Sequence, residues 1–262
     1  MKTLLRNTVL TGLGIVLAGL MAGNAPAQGS FNVTYDFSQV TANSGTTDPT
    51  PPPTASGATF GSFTAVGYTG NPNAGVRFSW QANPLGGVNG SDDFSQFSGS
   101  LDPAMYFEVA LSPLAAFALQ LDSFSFTIQR SSTGIRNYAV RSSLDGYAAN
   151  LPGSINPANA NLGVGPANEF RWLSDTMSTA QNGSLVTLNS SYADLTSPVT
   201  FRFYGWNAEG NLGTFSIDNV AFAGSTRIVP EPSATVLLSL GLAACGARRL
   251  RAWRTRKRRS ES

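Results

Sequence analysis

Between residues 28 and 227 the chain alternates large apolar and polar residues in short runs, the two-residue period of strands with one buried face. Phe31-Asn32-Val33-Thr34-Tyr35-Asp36-Phe37 opens the series. Further runs lie at 58–68, 75–81, 105–111, 117–129, 135–142, 169–173, 184–188, 199–206 and 214–223. The pattern puts Phe124, Phe126 and Ile128 on one face, and likewise Phe201, Phe203 and Gly205. Phe215, Ile217, Val220 and Phe222 share a face only if a bulge falls near Asp218-Asn219. Turn formers fill the gaps, as at Gly86-Gly87, Asp145-Gly146 and Pro152-Gly153, and 112–118 reads as a turn. Residues 38–57 form a loop, because Thr46-Thr47-Asp48-Pro49-Thr50-Pro51-Pro52-Pro53-Thr54 is Pro/Thr-rich and unfit for a sheet interior. No segment demands an amphipathic helix. About ten strands at this spacing predict an all-β domain over 28–227, a single antiparallel β-sandwich of jelly-roll type.

The two ends break the pattern. Residues 1–27 have the make-up of a secretory signal peptide: Lys2 and Arg6, an apolar stretch over 9–20, then Ala25-Pro26-Ala27. The small residues Ala25 and Ala27 occupy the positions a signal peptidase reads, which places cleavage before Gln28. At the other end Pro230-Glu231-Pro232 interrupts secondary structure, residues 234–247 carry no charge, and Arg248, Arg249 and Arg251 close the run. A span of about 20 residues is usual, and snorkelling arginines lengthen a shorter one, so a transmembrane helix is expected at about 233–247. The basic tail, 252–262, then stays cytoplasmic and the body lies outside the inner membrane.

Charge sharpens this division. The whole chain carries +2, yet residues 28–227 hold seven arginines, no lysine and thirteen carboxylates, a net of −6. Eight of the seventeen basic residues lie between Arg248 and Arg259, so the base belongs to topology. An acidic, lysine-free body excludes a nucleic-acid partner, since phosphate contacts need a basic face. The chain has no histidine, and Cys245 is its single cysteine. His-dependent triads, His or Cys zinc sites and disulfides within the chain are excluded.

Val229-Pro230-Glu231-Pro232-Ser233, the apolar run and the arginine cluster, in that order over 228–251, resemble the PEP-CTERM sorting signal of exported Gram-negative proteins. The resemblance implies an exosortase as partner, with Pro230, Glu231 and Pro232 as recognition residues and Arg248, Arg249 and Arg251 as the stop-transfer cluster. It further implies an inner-membrane anchor before processing, then residence in the cell envelope or extracellular matrix. Two stretches, 124–147 and 201–220, resemble a recurring ectodomain of such proteins. The ending Gly213-Thr214-Phe215-Ser216-Ile217-Asp218-Asn219-Val220 is similar to the last strand of many carbohydrate-binding sandwiches.

Three chemistries are open to the body. Carboxylate pairs serve glycan hydrolysis, and Asp92, Asp93, Asp102 and Glu108 are the densest acidic group, with a solvated turn the plainer reading of Asp92-Asp93. A structural Ca²⁺ takes hard oxygen ligands, for which Asp218 and Asp36 are the candidates if first and last strands lie together, as they do in similar sandwiches. The alternative is that Asp218-Asn219 caps a bulge by bonding its own backbone. Sugar binding needs aromatic platforms, for which Trp172 and Trp206 are the candidates beside Trp80, Tyr138, Tyr147, Arg136, Asn137 and Arg141, against plain core packing. The expectation is a non-enzymatic envelope or matrix protein that associates with extracellular polysaccharide. A lectin-like module is the first alternative and a carboxylate-dependent glycan-active enzyme the second.

Overall fold

The computed structural model describes residues 28–68 and 75–229. The expected signal peptide, sorting motif and transmembrane segment lie outside the described residues. What is described is all-β, built as two antiparallel sheets. Thirteen strands follow in order: β1 (Gln28–Tyr35), β2 (Ala58–Phe60), β3 (Thr64–Val66), β4 (Phe78–Trp80), β5 (Tyr106–Pro113), β6 (Phe117–Gln129), β7 (Asn137–Ser142), β8 (Gly153–Ile155), β9 (Leu162–Val164), β10 (Phe170–Trp172), β11 (Gln181–Thr187), β12 (Val199–Trp206) and β13 (Phe215–Ile228). One sheet runs β1-β13-β6-β11-β8, with β4 added at β13; the other runs β2-β5-β12-β7-β10-β9, with β3 added at β5.

The core between the sheets is largely aromatic. Phe124 of the first sheet meets Phe201 of the second at 5.1 Å between ring centroids, Phe126 meets Phe203 edge-on at 5.2 Å, and Phe215 stacks on Phe107 at 4.8 Å. Burial of each such ring stabilises the fold by about 1.5–3 kcal/mol, and each pair adds about 0.5–1.5 kcal/mol through geometry.

Two bulges keep these rings inward along the long central pair. In β13 the register against β6 shifts between Asp218 and Ala221, moving the buried set from Phe215 and Ile217 to Val220 and Phe222. In β6 the phase changes between Leu121 and Phe124, where the register slips by Asp122 opposite Ala223 and Gly224. The bulge expected at Asp218-Asn219 is present, with Asn219 in the left-handed region at φ 48. The run expected over 58–68 is instead two strands: Gly61 still donates to the Ala110 carbonyl opposite it, and the register against β5 then shifts by one residue before Thr64 pairs with Glu108. The strands β8 and β9 were not legible.

The pairing also orients the domain. Gln28, where cleavage is expected, opposes Arg227 near the end of β13, so both ends of the body emerge side by side. β13 has 14 residues, about 45 Å at the rise of an extended strand. Its start, with loops 85–99, 130–136, 173–180 and 207–214, is the opposite pole.

Candidate functional site

The pleat sorts the second sheet into two faces. In β12, Phe201 and Phe203 point into the core, so Arg202, Tyr204 and Trp206 point out. In β7 the outward set is Asn137, Ala139 and Arg141, and in β5 it is Tyr106 and Glu108. Register aligns these into rungs. Glu108, Arg202 and Arg141 lie abreast, as do Tyr204 with Ala139 and Trp206 with Asn137 and Arg171.

These outer side chains bind one another. Arg202 donates to Glu108 at 2.6 Å and lies between two aromatic faces, 4.0 Å from the Tyr106 centroid and 3.8 Å from that of Tyr147. Tyr106 packs edge-on against Tyr204 at 5.7 Å, and with Ala139, Trp206 and Leu101 they form a second, smaller apolar cluster. Burial raises the hydroxyl pKa of both tyrosines, while the Arg202 charge opposes the rise.

Beside this cluster opens a cleft of about 410 Å³, lined by Gly99, Ser100, Leu101, Pro103, Arg141, Asn150, Glu169 and Trp206. Trp206 is 4% exposed, so it serves as apolar floor and not as a projecting platform. Arg141 and Asn150 stand on one wall, with Nε donating to the Asn150 Oδ1 at 2.8 Å. Glu169, just before β10, accepts from Asn137 Nδ2 at 3.4 Å and lies 3.7 Å from Arg171. Floor, donor and acceptor together suit a hydroxyl-rich ligand of small-molecule size.

Trp172 belongs elsewhere. Its side chain is fully buried, its Nε1 donates to the Met177 carbonyl at 2.8 Å, and Arg130 lies 5.9 Å from its ring. It offers no face to a ligand, so the site is built without it. Tyr138 is likewise internal, stacked on Phe170 and hydrogen-bonded to Ser184. Trp80 is also a core residue.

A buried ionic knot at the pole far from the tail absorbs several of the remaining candidates. Arg136 donates to the carbonyls of Trp172 and Ser91 at 3.0 and 2.7 Å, to Asp92 at 2.9 Å, to Glu209 at 2.9 Å and to Asp175 at 3.4 Å. Arg130 adds Glu209 at 3.0 Å and the Met177 and Gly134 carbonyls. Asp92 is exposed, and it also clasps the knot by accepting from Arg136 and from the Asp175 amide. Its neighbour Asp93 does cap a short turn, accepting from the Ser95 amide. Asp102 accepts from Ala104, and Glu108 from Arg202. Sequence reasoning missed Asp175 and Glu209, whose partners lie on distant loops.

The first and last strands do lie together, with Tyr35 opposite Val220, and the Asp36 charge acts on Asp218. Both Asp218 oxygens are engaged, Oδ1 by the Asn219 amide and Oδ2 by its Nδ2, while Asp36 accepts from the Ser38 amide. Burial raises the Asp218 pKa, against that hydrogen bond and the Arg77 charge. Among the described residues no group of three or more His, Cys, Asp or Glu side chains is arranged to hold a metal ion.

No family model and no curated protein matches the chain. Among solved structures, the K1 cleaved adhesin domain of Lys-gingipain from Porphyromonas gingivalis W83 is similar over 73% of this chain and 97% of its own. Sequence identity is 12% and the TM-score 0.30, a likeness too loose to bear on fold or function.

Proposed function

We propose that this chain is a non-enzymatic, exported protein of the cell envelope or extracellular matrix. It is sorted through its PEP-CTERM-like tail, and it associates with extracellular polysaccharide through the outer face of its second sheet. In this reading the body is a jelly roll. What supports that is the order of the principal strands, β1-β13-β6-β11 in one sheet and β5-β12-β7-β10 in the other, which interleaves as two Greek keys.

The observation that carries the functional reading is the placement of the cleft relative to the tail. Ile228 ends β13 at the pole from which residues 230–262 leave, whereas Trp206 lies at the other end of its strand, where 207–214 leads into the start of β13. A body held at its tail pole would present the Trp206 floor away from the membrane. Signal peptidase acting before Gln28 would free the start of β1, an edge strand, and leave its pairing with β13 intact.

Two measurements test the proposal. Replacing Pro230-Glu231-Pro232 with alanines should leave an unprocessed, membrane-held chain; unchanged size and destination would overturn the sorting half. The full-length chain should co-sediment with extracellular polysaccharide from its host, and loss of that association in Trp206→Ala, with thermal unfolding still cooperative, supports the cleft. A lectin-like module is the second reading, favoured by the fixed polar groups Arg141, Asn150 and Glu169 around the Trp206 floor, and saturable binding of one short oligosaccharide would select it.

A further inference from the structure

Seven arginines lie among the described residues, and five of them have a carboxylate within 4 Å: Arg130, Arg136, Arg171, Arg202 and Arg227. Of the other two, Arg77 faces the charge of Asp218. Arg141 is the remaining one, and it lines the cleft. Its guanidinium is held on three sides. Nε donates to Asn150 Oδ1 at 2.8 Å, Nη1 donates to the Tyr147 carbonyl at 3.2 Å, and the Tyr204 ring lies 5.7 Å away. Asn150 is itself fixed, its Nδ2 donating to the Ala167 carbonyl at 3.0 Å. Nη2 makes no hydrogen bond among the described residues.

A guanidinium so braced loses little freedom on binding and presents a planar edge of N–H donors, the geometry that matches a carboxylate. The opposing acid of the cleft, Glu169, already has Arg171 and Asn137 beside it, so Arg141 is left as the uncompensated charge. Apolar floor is at hand in Trp206, Leu101 and Pro103, and the volume of about 410 Å³ suits a sugar ring and its substituents. We infer that the cleft receives an acidic sugar unit, a uronate within a polysaccharide chain, with its carboxylate on the open edge of Arg141 and its ring over Trp206.

This inference rests on the reading of the cleft as a polysaccharide site and adds the class of sugar. The acidic body repels polyanions in general, so recognition is local, and raising the salt should cost little more than the screening of one ion pair. Calorimetry on the full-length chain in mild detergent tests it. The probes are uronate trisaccharides of gluco, galacto and manno configuration, each beside its carboxyl-reduced counterpart, which differs only by a hydroxymethyl in place of the carboxylate.

At least one uronate trisaccharide should bind about tenfold to a hundredfold more tightly than its reduced form, the worth of a charge-assisted hydrogen bond. Arg141→Gln should erase that preference. Glu169→Gln, which leaves the brace on Arg141 untouched, should strengthen uronate binding severalfold and leave the reduced form unchanged. Equal binding of each pair by the wild type, or a preference that survives in Arg141→Gln, overturns the acidic-sugar assignment while the polysaccharide reading stands. Binding of no member of the set overturns the assignment, and the polysaccharide reading falls with it only if co-sedimentation fails as well.

Discussion

Replacing Arg136 with methionine keeps an unbranched apolar stem and removes the guanidinium, which tests what the buried knot contributes. The guanidinium is fully buried and contacts Asp92, Asp175, Glu209 and the carbonyls of Trp172 and Ser91. Without it Glu209 keeps Arg130 alone at Oε1, and its Oε2 is already without a partner. Removing one member of a buried ion pair costs about 3–5 kcal/mol, because the other charge stays buried and uncompensated. For a domain of this size each kcal/mol lowers the melting midpoint by about 2–4 °C, so a fall of roughly 6–20 °C is expected in circular-dichroism melts.

The pH dependence makes the test specific. Burial raises the Glu209 pKa above its ordinary 4.5 and Asp175 adds to the rise, while Arg136 and Arg130 pull it down. Loss of Arg136 lifts it further. Between 4.5 and the folded value the native state holds a proton that the unfolded state has released. Stability therefore rises as pH falls through the folded value, and it levels off below about 4.5. The deficit of Arg136→Met relative to wild type should be largest near neutral pH and shrink toward pH 5. A deficit below about 1 kcal/mol, or one equal at both pH values, would refute the account of the knot as a burdened charge cluster.

Trp172→Ala should cost about 3–5 kcal/mol by opening a cavity under Arg130, and a loss under 1 kcal/mol in denaturant titration would show the indole is not core. Chelator should leave the melting midpoint where it is, since Asp218 already holds Asn219 with both oxygens; a midpoint that rises on adding calcium would restore a cation between Asp36 and Asp218. Gly86→Ala should destabilise loop 85–99 by about 1–3 kcal/mol, because Gly86 has φ +132 and a methyl there strikes the Gly99 backbone that Asn207 Oδ1 holds at 2.8 Å. Faster proteolysis of that loop would report it, and unchanged cleavage would count against the packing.

The fold was legible wherever alternation is long and one face is wholly apolar. β6 and β12 have the predicted bounds because Phe124, Phe126, Phe201 and Phe203 each commit a face to the core. β8 and β9 were not legible, since three residues each of Gly-Ser-Ile and Leu-Gly-Val carry no period; their pairing with β11 and β10 supplies the order. The knot was hidden for a different reason. Arg136 meets Asp92 and Glu209 across 44 and 73 residues of chain, so no local spacing announces it.

The two tryptophans show where the limit lies. Phe170-Arg171-Trp172 and Tyr204-Gly205-Trp206 are both short alternations ending in an indole, and nothing within either says which way the indole turns. Phe170 pairs with Tyr138, both inward, so parity carries Trp172 into the core and leaves Arg171 outside. Trp206 pairs with Asn137, one step from Tyr138 along β7, and the same parity sends it to the outer face. One strand therefore decides both fates: with Tyr138 fixed in the core by Phe126 and Phe170, Arg141, three residues on, has to stand on the face that Trp206 shares. Any substitution that flipped the phase of β7 would dismantle cleft and core together, which ties the site to the fold more firmly than a loop-borne site would be.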